Sequence, residues 1–124
     1  MIAGLGIDIV DVERIAGKIS KDNGFRELVF SANEIAYCEN MANKFEHYAA
    51  RFAAKEAFLK ALGTGWANGT AFNEIEIRNN EDGKPEIFLL GETDKTLGGE
   101  QIGTILVSLT HIKSTASAVV ILEK

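Results

Sequence analysis

The chain has 124 residues, of which 46% are hydrophobic and 25% are charged, and this composition fits one domain with a modest core. Its formal net charge of −5 argues against nucleic acid as the main partner, because duplex binding needs clustered basic charge. No apolar run approaches the roughly 20 residues needed to cross a bilayer, so no membrane partner is expected. The single cysteine, Cys38, is expected to be a small hydrophobe, and an amino terminus without a basic signal region favours a cytoplasmic location.

The first predicted element is a strand over residues 2–10. It has a face of large aliphatic residues and a face of small or acidic ones, Leu5, Ile7 and Ile9 against Gly4, Gly6 and Asp8. Small residues let another element approach the backbone closely. Asp8 places a carboxylate on this face, where it could belong to a site or could cap the helix predicted over residues 11–19.

The helix over residues 11–19 begins a basic ridge formed by Arg14, Lys18 and Lys21. These residues are spaced i, i+4 and i+7, so they share one side of a helix. On an acidic chain, such a ridge suggests an acidic partner that docks on one face. A solvated helix face balanced by Glu13 and Asp22 explains the pattern equally well.

Two further helices are predicted from their capping patterns. Ser31 with Glu34 is typical of a capping box and opens a short helix. Asn43 with Glu46 resembles a second capping box and opens a long helix over residues 44–62.

The long helix carries a carboxylate where apolar residues are expected. Its apolar stripe consists of Phe45, Tyr48, Ala49, Phe52 and Leu59. At about 100° per residue, Glu56 projects near the middle of that stripe. An ionised carboxylate buried there would cost several kcal/mol unless something cationic meets it.

The small-residue face of the first strand is a natural place for the long helix to pack. That packing would bring Glu56 to Asp8, and two neighbouring carboxylates repel each other unless a cation neutralises them. Hard oxygen ligands with few protein contacts suit Mg²⁺, which keeps several waters and often bridges to phosphate. The sequence therefore predicts a divalent-cation site at this pair.

Three cations lie close to Glu56 along the same helix. Lys60 is one turn further on, where it could form an intrahelical ion pair or meet a phosphate near the metal. Arg51 and Lys55 lie toward the flank and could hold further phosphates.

Beyond the long helix the sequence becomes rich in glycine and then in β-forming residues. Gly63 suits the left-handed backbone that ends a helix, and together with Gly65 it leaves backbone amides accessible to a ligand. A short helix is predicted over residues 91–97, and strands are predicted around residues 75–77, 87–89, 104–111 and 116–122. The predicted fold class is α+β, with the long helix covering a largely antiparallel sheet.

Ser108, Thr110 and His111 end one of the predicted strands. Ser108 and Thr110 point to one face and His111 to the other, which argues against a Ser–His nucleophilic pair. No cluster of Cys and His has the spacing of a zinc site. The remaining histidine, His47, is expected on the surface.

Four runs of the sequence resemble one known family. They are Gly6-Ile7-Asp8-Ile9, the run Arg-Phe-Ala-Ala-Lys-Glu-Ala-Phe-Leu-Lys over residues 51–60, Gly63-Thr64-Gly65, and Ser108-Leu109-Thr110-His111. They resemble holo-acyl-carrier-protein synthase, the small bacterial type of 4′-phosphopantetheinyl transferase. The resemblance covers almost the whole chain, including the turn Asp82-Gly83-Lys84-Pro85, and is less distinct between residues 15 and 46.

This resemblance implies a reaction. Coenzyme A would donate its phosphopantetheine arm to a serine of apo-acyl carrier protein and release adenosine 3′,5′-bisphosphate, in support of fatty acid biosynthesis. Asp8 and Glu56 match the family's ligands for Mg²⁺, and Lys60 matches its catalytic lysine. The serine proton would leave through a metal-bound water or a nearby carboxylate.

The resemblance also implies a trimer with active sites at the subunit interfaces. The implied contacts to coenzyme A are Arg51, Lys84, Pro85, Ser108, Thr110 and His111, to which the residue patterns add Lys55, Gly63 and Gly65. Arg14 matches a family position that contacts the carrier protein. Acyl carrier proteins are acidic, so the basic ridge gains a partner.

Two other kinds of function fit the same residues. A non-catalytic coenzyme A or nucleotide-binding module would use the basic residues without turnover. An oligomeric scaffold would use Glu56 only to pair with a buried lysine.

Overall fold

The structure is a computed structural model that describes residues 1–63, 70–97 and 102–124. Its elements in chain order are β1 (Ile2–Asp11), α1 (Val12–Ser20), α2 (Phe25–Val29), α3 (Ala32–Glu39), α4 (Lys44–Leu62), a 3-10 turn (Phe72–Glu74), β2 (Ile75–Asn79), β3 (Pro85–Leu89), α5 (Gly91–Leu97), β4 (Thr104–His111) and β5 (Thr115–Glu123). Most of α4 is buried, so this helix forms the centre of the molecule.

The strands form two antiparallel sheets. One sheet has the order β1-β5-β4, and the other pairs β2 with β3. In the larger sheet, Ala118 of β5 lies opposite Asp8 on one side and opposite Leu109 on the other. Asp8 is therefore two strand spacings, about 10 Å, from β4.

The close approach of α4 to β1 depends on two glycines. A Cβ atom on Gly6 would lie 1.9 Å from the carbonyl oxygen of Ala57, and one on Gly4 would lie 2.1 Å from the carbonyl oxygen of Ala61. Both contacts are to helix backbone, which cannot rotate away as a side chain can. The small-residue face of β1 thus fixes the depth at which α4, and with it Glu56, sits against Asp8.

Gly6→Ala is expected to destabilise the protein by about 1–3 kcal/mol or more, because β1 and α4 must move apart to admit the methyl group. Gly17→Ala is the matched control, since its Cβ would meet nothing within 4 Å in the exposed middle of α1. That change should stabilise the protein by about 0.5–1 kcal/mol through helix propensity. Urea unfolding of both variants measures the difference, and equal stabilities would contradict the close contact.

The outer face of the larger sheet, opposite α4, is apolar and exposed. Leu5, Ile7 and Ile9 of β1 are 66%, 64% and 70% exposed, and Leu106 of β4 is 39% exposed. Register places the β5 residue Ile121 between Leu5 and Leu106. Three strands therefore present one continuous apolar surface. No helix within the described residues is both long and apolar enough to span a bilayer.

Most predicted elements are confirmed, including the α+β class and the bounds of α4, which ends at Gly63 with a φ of 81°. The structure differs in having two sheets instead of one, and in adding α2, which five residues are too few to reveal by periodicity. Asn43 stands at the start of α4, but its side chain makes no capping hydrogen bond to the helix backbone. Gly65 lies outside the described residues.

The lone thiol is structural, as its position on a short helix suggested. Cys38 is fully buried on α3. Burial raises the pKa of Cys38 to about 12. The thiolate, which is the reactive form, is therefore scarce at neutral pH.

Candidate active site

Three of the predicted site residues, Asp8, Glu56 and Lys60, meet where α4 crosses β1. Nζ of Lys60 donates to Oδ1 of Asp8 at 2.9 Å and to the carbonyl oxygen of Ile7 at 3.0 Å. Glu56 lies one turn earlier on α4, close enough to Asp8 for their charges to repel. The two carboxylates come together as the sequence predicts. Lys60 forms its ion pair with Asp8, however, and not within the helix.

The carboxylate of Glu56 has a raised affinity for protons. Its partial burial and the neighbouring charge of Asp8 raise its pKa, although the charges of Lys60 and Arg14 oppose this. No hydrogen bond from the described residues reaches it. A half-buried, unsatisfied carboxylate beside a second one is an environment that a cation would stabilise.

The donor set fits Mg²⁺ better than a metal that needs an all-protein cage. Asp8 and Glu56 are hard oxygen ligands, and two carboxylates leave coordination positions for waters and phosphate oxygens. Within residues 1–63, 70–97 and 102–124, no group of three or more His, Cys, Asp or Glu side chains is arranged to hold a metal.

The position of Asp8 is set by its backbone and not by a capping role. Oγ of Ser117 donates to the carbonyl oxygen of Asp8 at 2.8 Å, which ties β1 to β5 at this residue. The cap of α1 is Asp11, whose Oδ1 accepts from the amide of Glu13 at 3.0 Å. The alternative interpretation of Asp8 as a helix cap is therefore wrong.

A second cluster lies around a cavity of about 160 Å³ bounded by α4, β4 and the β2–β3 turn, here called the Arg51–His111 cavity. Nη2 of Arg51 donates to Oδ1 of Asn79 at 2.7 Å, and its guanidinium lies 4.1 Å from the ring centroid of Tyr37. The buried Nε of Arg51 has no hydrogen-bond partner in the described part of the chain. Pro85 also lines the cavity, so three of the predicted coenzyme contacts share it.

Of the remaining predicted coenzyme contacts, Lys84 lies outside the Arg51–His111 cavity. Together with Pro85, which lines both spaces, it borders a groove of about 350 Å³ between β3 and β4. Ser108 and Thr110 are exposed on the outer face of the larger sheet, whereas His111 faces the α4 side. The alternation predicted for these three residues is confirmed.

Lys55 has a different role from the predicted one. It is fully buried, and Nζ donates to Oε1 of Glu34 at 2.7 Å, to the carbonyl oxygen of Phe72 at 2.7 Å and to that of Ile75. All three of its protons are thus used within the protein, and none remains for a phosphate. The prediction that Lys55 contacts coenzyme A is wrong for this structure, because an i, i+4 spacing places a lysine on a helix face without revealing what packs there.

The basic ridge lies on α1 beside the carboxylate pair. Arg14 and Lys21 are exposed, and Nζ of Lys18 lies 5.5 Å from the centroid of the Phe25 ring. Arg14 is near enough to Glu56 to lower its proton affinity. A partner docked on the ridge would therefore sit next to the site.

The sequence did not predict the contacts that Glu46 and His47 make with His111, a residue of the Arg51–His111 cavity. Oε1 of Glu46 lies 2.8 Å from Nδ1 of His111, so Glu46 hydrogen-bonds to a side chain on β4. His47 is half-buried between Tyr37 and His111, with ring centroids 5.7 and 5.0 Å away, which corrects its predicted surface position. No local pattern could reveal either contact, because His111 is more than 60 positions away in sequence.

Comparison with known proteins matches residues 4–105 to the model of the 4′-phosphopantetheinyl transferase superfamily. The chain belongs to this family. It is 50% identical to a holo-[acyl-carrier-protein] synthase of Cytophaga hutchinsonii, with 100% of this chain and 99% of that protein covered. A second relative of the same description, from Syntrophus aciditrophicus, is 48% identical over 99% of this chain and 97% of its own length.

Solved structures of the transferase family agree with the fold. The crystal structure of holo-[acyl-carrier-protein] synthase from Neisseria meningitidis superposes with a TM-score of 0.91 at 34% identity, covering 100% of both chains. The Helicobacter pylori synthase, solved in complex with coenzyme A, superposes with a TM-score of 0.82 at 32% identity, covering 96% of this chain and 99% of that one. The α+β arrangement around α4 is therefore the family fold.

Proposed function

We propose that residues 1–124 act as one catalytic domain that transfers 4′-phosphopantetheine from coenzyme A to a serine of apo-acyl carrier protein. The observation that carries the proposal is the meeting of Asp8, Glu56 and Lys60 at one point. The chain's relatives are holo-[acyl-carrier-protein] synthases, which supports the same reaction. The product would support fatty acid biosynthesis in the cytoplasm.

The reaction makes one bond and breaks one. The serine oxygen of the carrier protein attacks the phosphorus of the pantetheine phosphate. The bond from that phosphorus to the bridging oxygen of the pyrophosphate breaks, and its electron pair leaves with adenosine 3′,5′-bisphosphate. The serine proton would be released to a general base such as a nearby carboxylate.

Asp8 and Glu56 would hold Mg²⁺, which when bound neutralises charge that develops on the pyrophosphate. Their place at the junction of α4 and β1 is rigid, because the glycine contacts and the Ser117 hydrogen bond set both backbones.

Lys60 would bind the departing phosphate. Two of its three N–H groups are used by Asp8 and Ile7, and the side chain remains 55% exposed. The third N–H is available to a phosphate oxygen, where it would stabilise the negative charge or supply a proton to the leaving group.

We further propose that each active site combines two copies of the chain, as in the predicted trimer. His47 and Glu56 are nine residues apart on α4, so they project about 180° from each other. Asp8 and His111 lie on opposite outer strands of the larger sheet. The Asp8–Glu56 pair and the Arg51–His111 cavity of one copy therefore face different sides of α4, and a neighbouring copy would supply the second set of contacts.

The apolar outer face of the larger sheet suits this assembly. Leu5, Ile7 and Ile9 would be removed from water against neighbouring copies, and this burial would stabilise the assembly. Sedimentation velocity measures the mass directly. A species no larger than 13.5 kDa at micromolar concentration would contradict shared sites.

Arg14→Glu is expected to weaken binding of apo-acyl carrier protein about tenfold, with unchanged affinity for coenzyme A. The reason is that reversing one charge on the basic ridge repels an acidic partner, an effect that should fade as salt rises. Lys95→Glu, which makes the same charge change on α5 at a side chain 75% exposed, is the control. Calorimetry with each partner measures both affinities, and the opposite pattern would remove Arg14 from the docking surface.

The direct test is mass spectrometry of apo-acyl carrier protein after incubation with the protein, coenzyme A and Mg²⁺. The proposal expects the mass gain of one phosphopantetheine group, and loss of that gain when Mg²⁺ is chelated. Coenzyme binding without a mass gain would favour the non-catalytic module. If added Mg²⁺ leaves coenzyme binding unchanged, the oligomeric scaffold would be favoured.

A further inference from the structure

The carboxylate of Glu46, which is mostly buried, is hydrogen-bonded to the imidazole of His111. Its Oε1 lies 2.8 Å from Nδ1 of His111, and the contact joins the first turn of α4 to the last residue of β4. Both residues thus stand on regular elements. The side chains of Glu46 and His111 are 19% and 27% exposed, which leaves the ring a free edge.

The charge of Glu46 decides which ring nitrogen carries a proton. The hydrogen bond with His111 lowers the pKa of Glu46, so this carboxylate is ionised at neutral pH. An ionised carboxylate can only accept hydrogen bonds, so Nδ1 of His111 must be the donor. Nε2 is then the nitrogen left for a ligand, and it donates to an anion when the ring carries a second proton.

Two side chains of α4 and one of α3 surround the His111 ring. The ring of His47 lies edge-on at 5.0 Å, and its burial, together with the charge of His111, lowers the pKa of His47. Arg51 lines the same cavity with a permanent charge, and Tyr37 closes it from α3. His47 therefore favours its neutral form, while Arg51 contributes a guanidinium to the same cavity.

Other cations near Glu46 do not replace His111. Lys44 and Lys113 line a neighbouring cavity of about 390 Å³ together with Glu46. Nζ of Lys44, however, is paired with Oε1 of Glu39 at 3.2 Å. The hydrogen bond with His111 is the largest cause of the lowered pKa of Glu46, and the side chain of Asn43 adds a second hydrogen bond to the carboxylate.

We propose that Glu46 is a positioning residue for coenzyme binding, which fixes His111 so that Nε2 donates to a phosphate monoester in the Arg51–His111 cavity. This inference rests on the proposed function, which supplies coenzyme A as the ligand. The monoester is then its 3′-phosphate, because the pyrophosphate is a diester and belongs at the Asp8–Glu56 pair. The contact requires the ring to carry its second proton, because a neutral ring protonated at Nδ1 leaves Nε2 as an acceptor.

The variant Glu46→Gln tests the proposal, since it keeps the size of the side chain and removes its charge. We expect the KM for coenzyme A to rise about tenfold, the scale of one charge-assisted hydrogen bond, with kcat changed less than about twofold. Binding of dephospho-coenzyme A, which lacks the 3′-phosphate, should change less than about twofold in calorimetry. Glu46→Asp, which restores the charge, should recover part of the loss. Glu92→Gln, at a side chain 75% exposed on α5, controls for net charge.

A second measurement does not need the coenzyme. The ¹⁵N spectrum of the His111 ring in the free protein should report a proton fixed on Nδ1, and a mixture of tautomers in Glu46→Gln. Equal losses for coenzyme A and dephospho-coenzyme A, or an unchanged ring spectrum, would overturn the positioning role. If the wild-type protein binds neither coenzyme, both the proposed function and the phosphate contact are refuted. The ring spectra would still report whether Glu46 sets the tautomer of His111.

Discussion

Glu56→Gln is expected to lower the rate of phosphopantetheine transfer by about a hundredfold or more while the protein stays folded. Glutamine keeps the shape of the side chain but removes the charge that would hold Mg²⁺. Mass spectrometry of the carrier protein over time, at saturating coenzyme A and Mg²⁺, measures the loss. Glu92→Gln should leave the rate unchanged.

The same variant also separates function from stability. Partial burial and the charge of Asp8 raise the pKa of Glu56 above its ordinary value of 4.5. The metal-free wild type therefore loses stability as the pH rises from 4.5 through the raised pKa. At neutral pH, Glu56→Gln should therefore be at least as stable as the wild type, with a gain below about 1 kcal/mol after solvent screening. The gain should vanish as the pH falls below about 4.5, where the glutamate is protonated in both the folded and the unfolded state. Wild-type turnover by this variant would refute the ligand role, and a large stability loss would show that Glu56 has a structural partner.

Lys55→Met is expected to lower the free energy of unfolding by about 3–5 kcal/mol. The methionine fills much of the same space, but Glu34 would remain buried without its cation, and the carbonyl oxygens of Phe72 and Ile75 would lose their donor. Burial lowers the pKa of Lys55 while the charge of Glu34 acts in the opposite direction, so the pair is strongly interdependent. Urea denaturation measures the loss.

Two comparisons make the Lys55 prediction specific. The double change Lys55→Met with Glu34→Gln should be more stable than Lys55→Met alone by about 1 kcal/mol or more, because no uncompensated charge stays buried. Lys44→Met breaks a pair with Glu39 whose side chains are 38% and 34% exposed, and should cost less than about 1 kcal/mol. A Lys55→Met protein of wild-type stability with weakened coenzyme affinity would restore the original assignment of Lys55 to the coenzyme site.

Two of the three lysines of α4 show how far a local sequence pattern can predict a contact. Lys55 and Lys60 both lie near Glu56 in the sequence, and the sequence predicts a phosphate contact for each of them. Lys60 lies at an open edge beside Asp8, whereas Lys55 faces Glu34 and the segment after residue 70. Helical spacing gives the direction of a side chain from its own axis. It does not give the element that packs there.

The sequence alone determined the elements and the carboxylate pair. The period of α4, its glycine end and the alternation of β1 are encoded by residues within a few positions of one another, and glycines opposite a helix imply a close approach. Tertiary structure alone decided the division into two sheets, the burial of Lys55 and the contact of Glu46 with His111. The physical reason is that each of these depends on partners distant in the chain, whose meeting is set by packing of the whole core and not by local propensity.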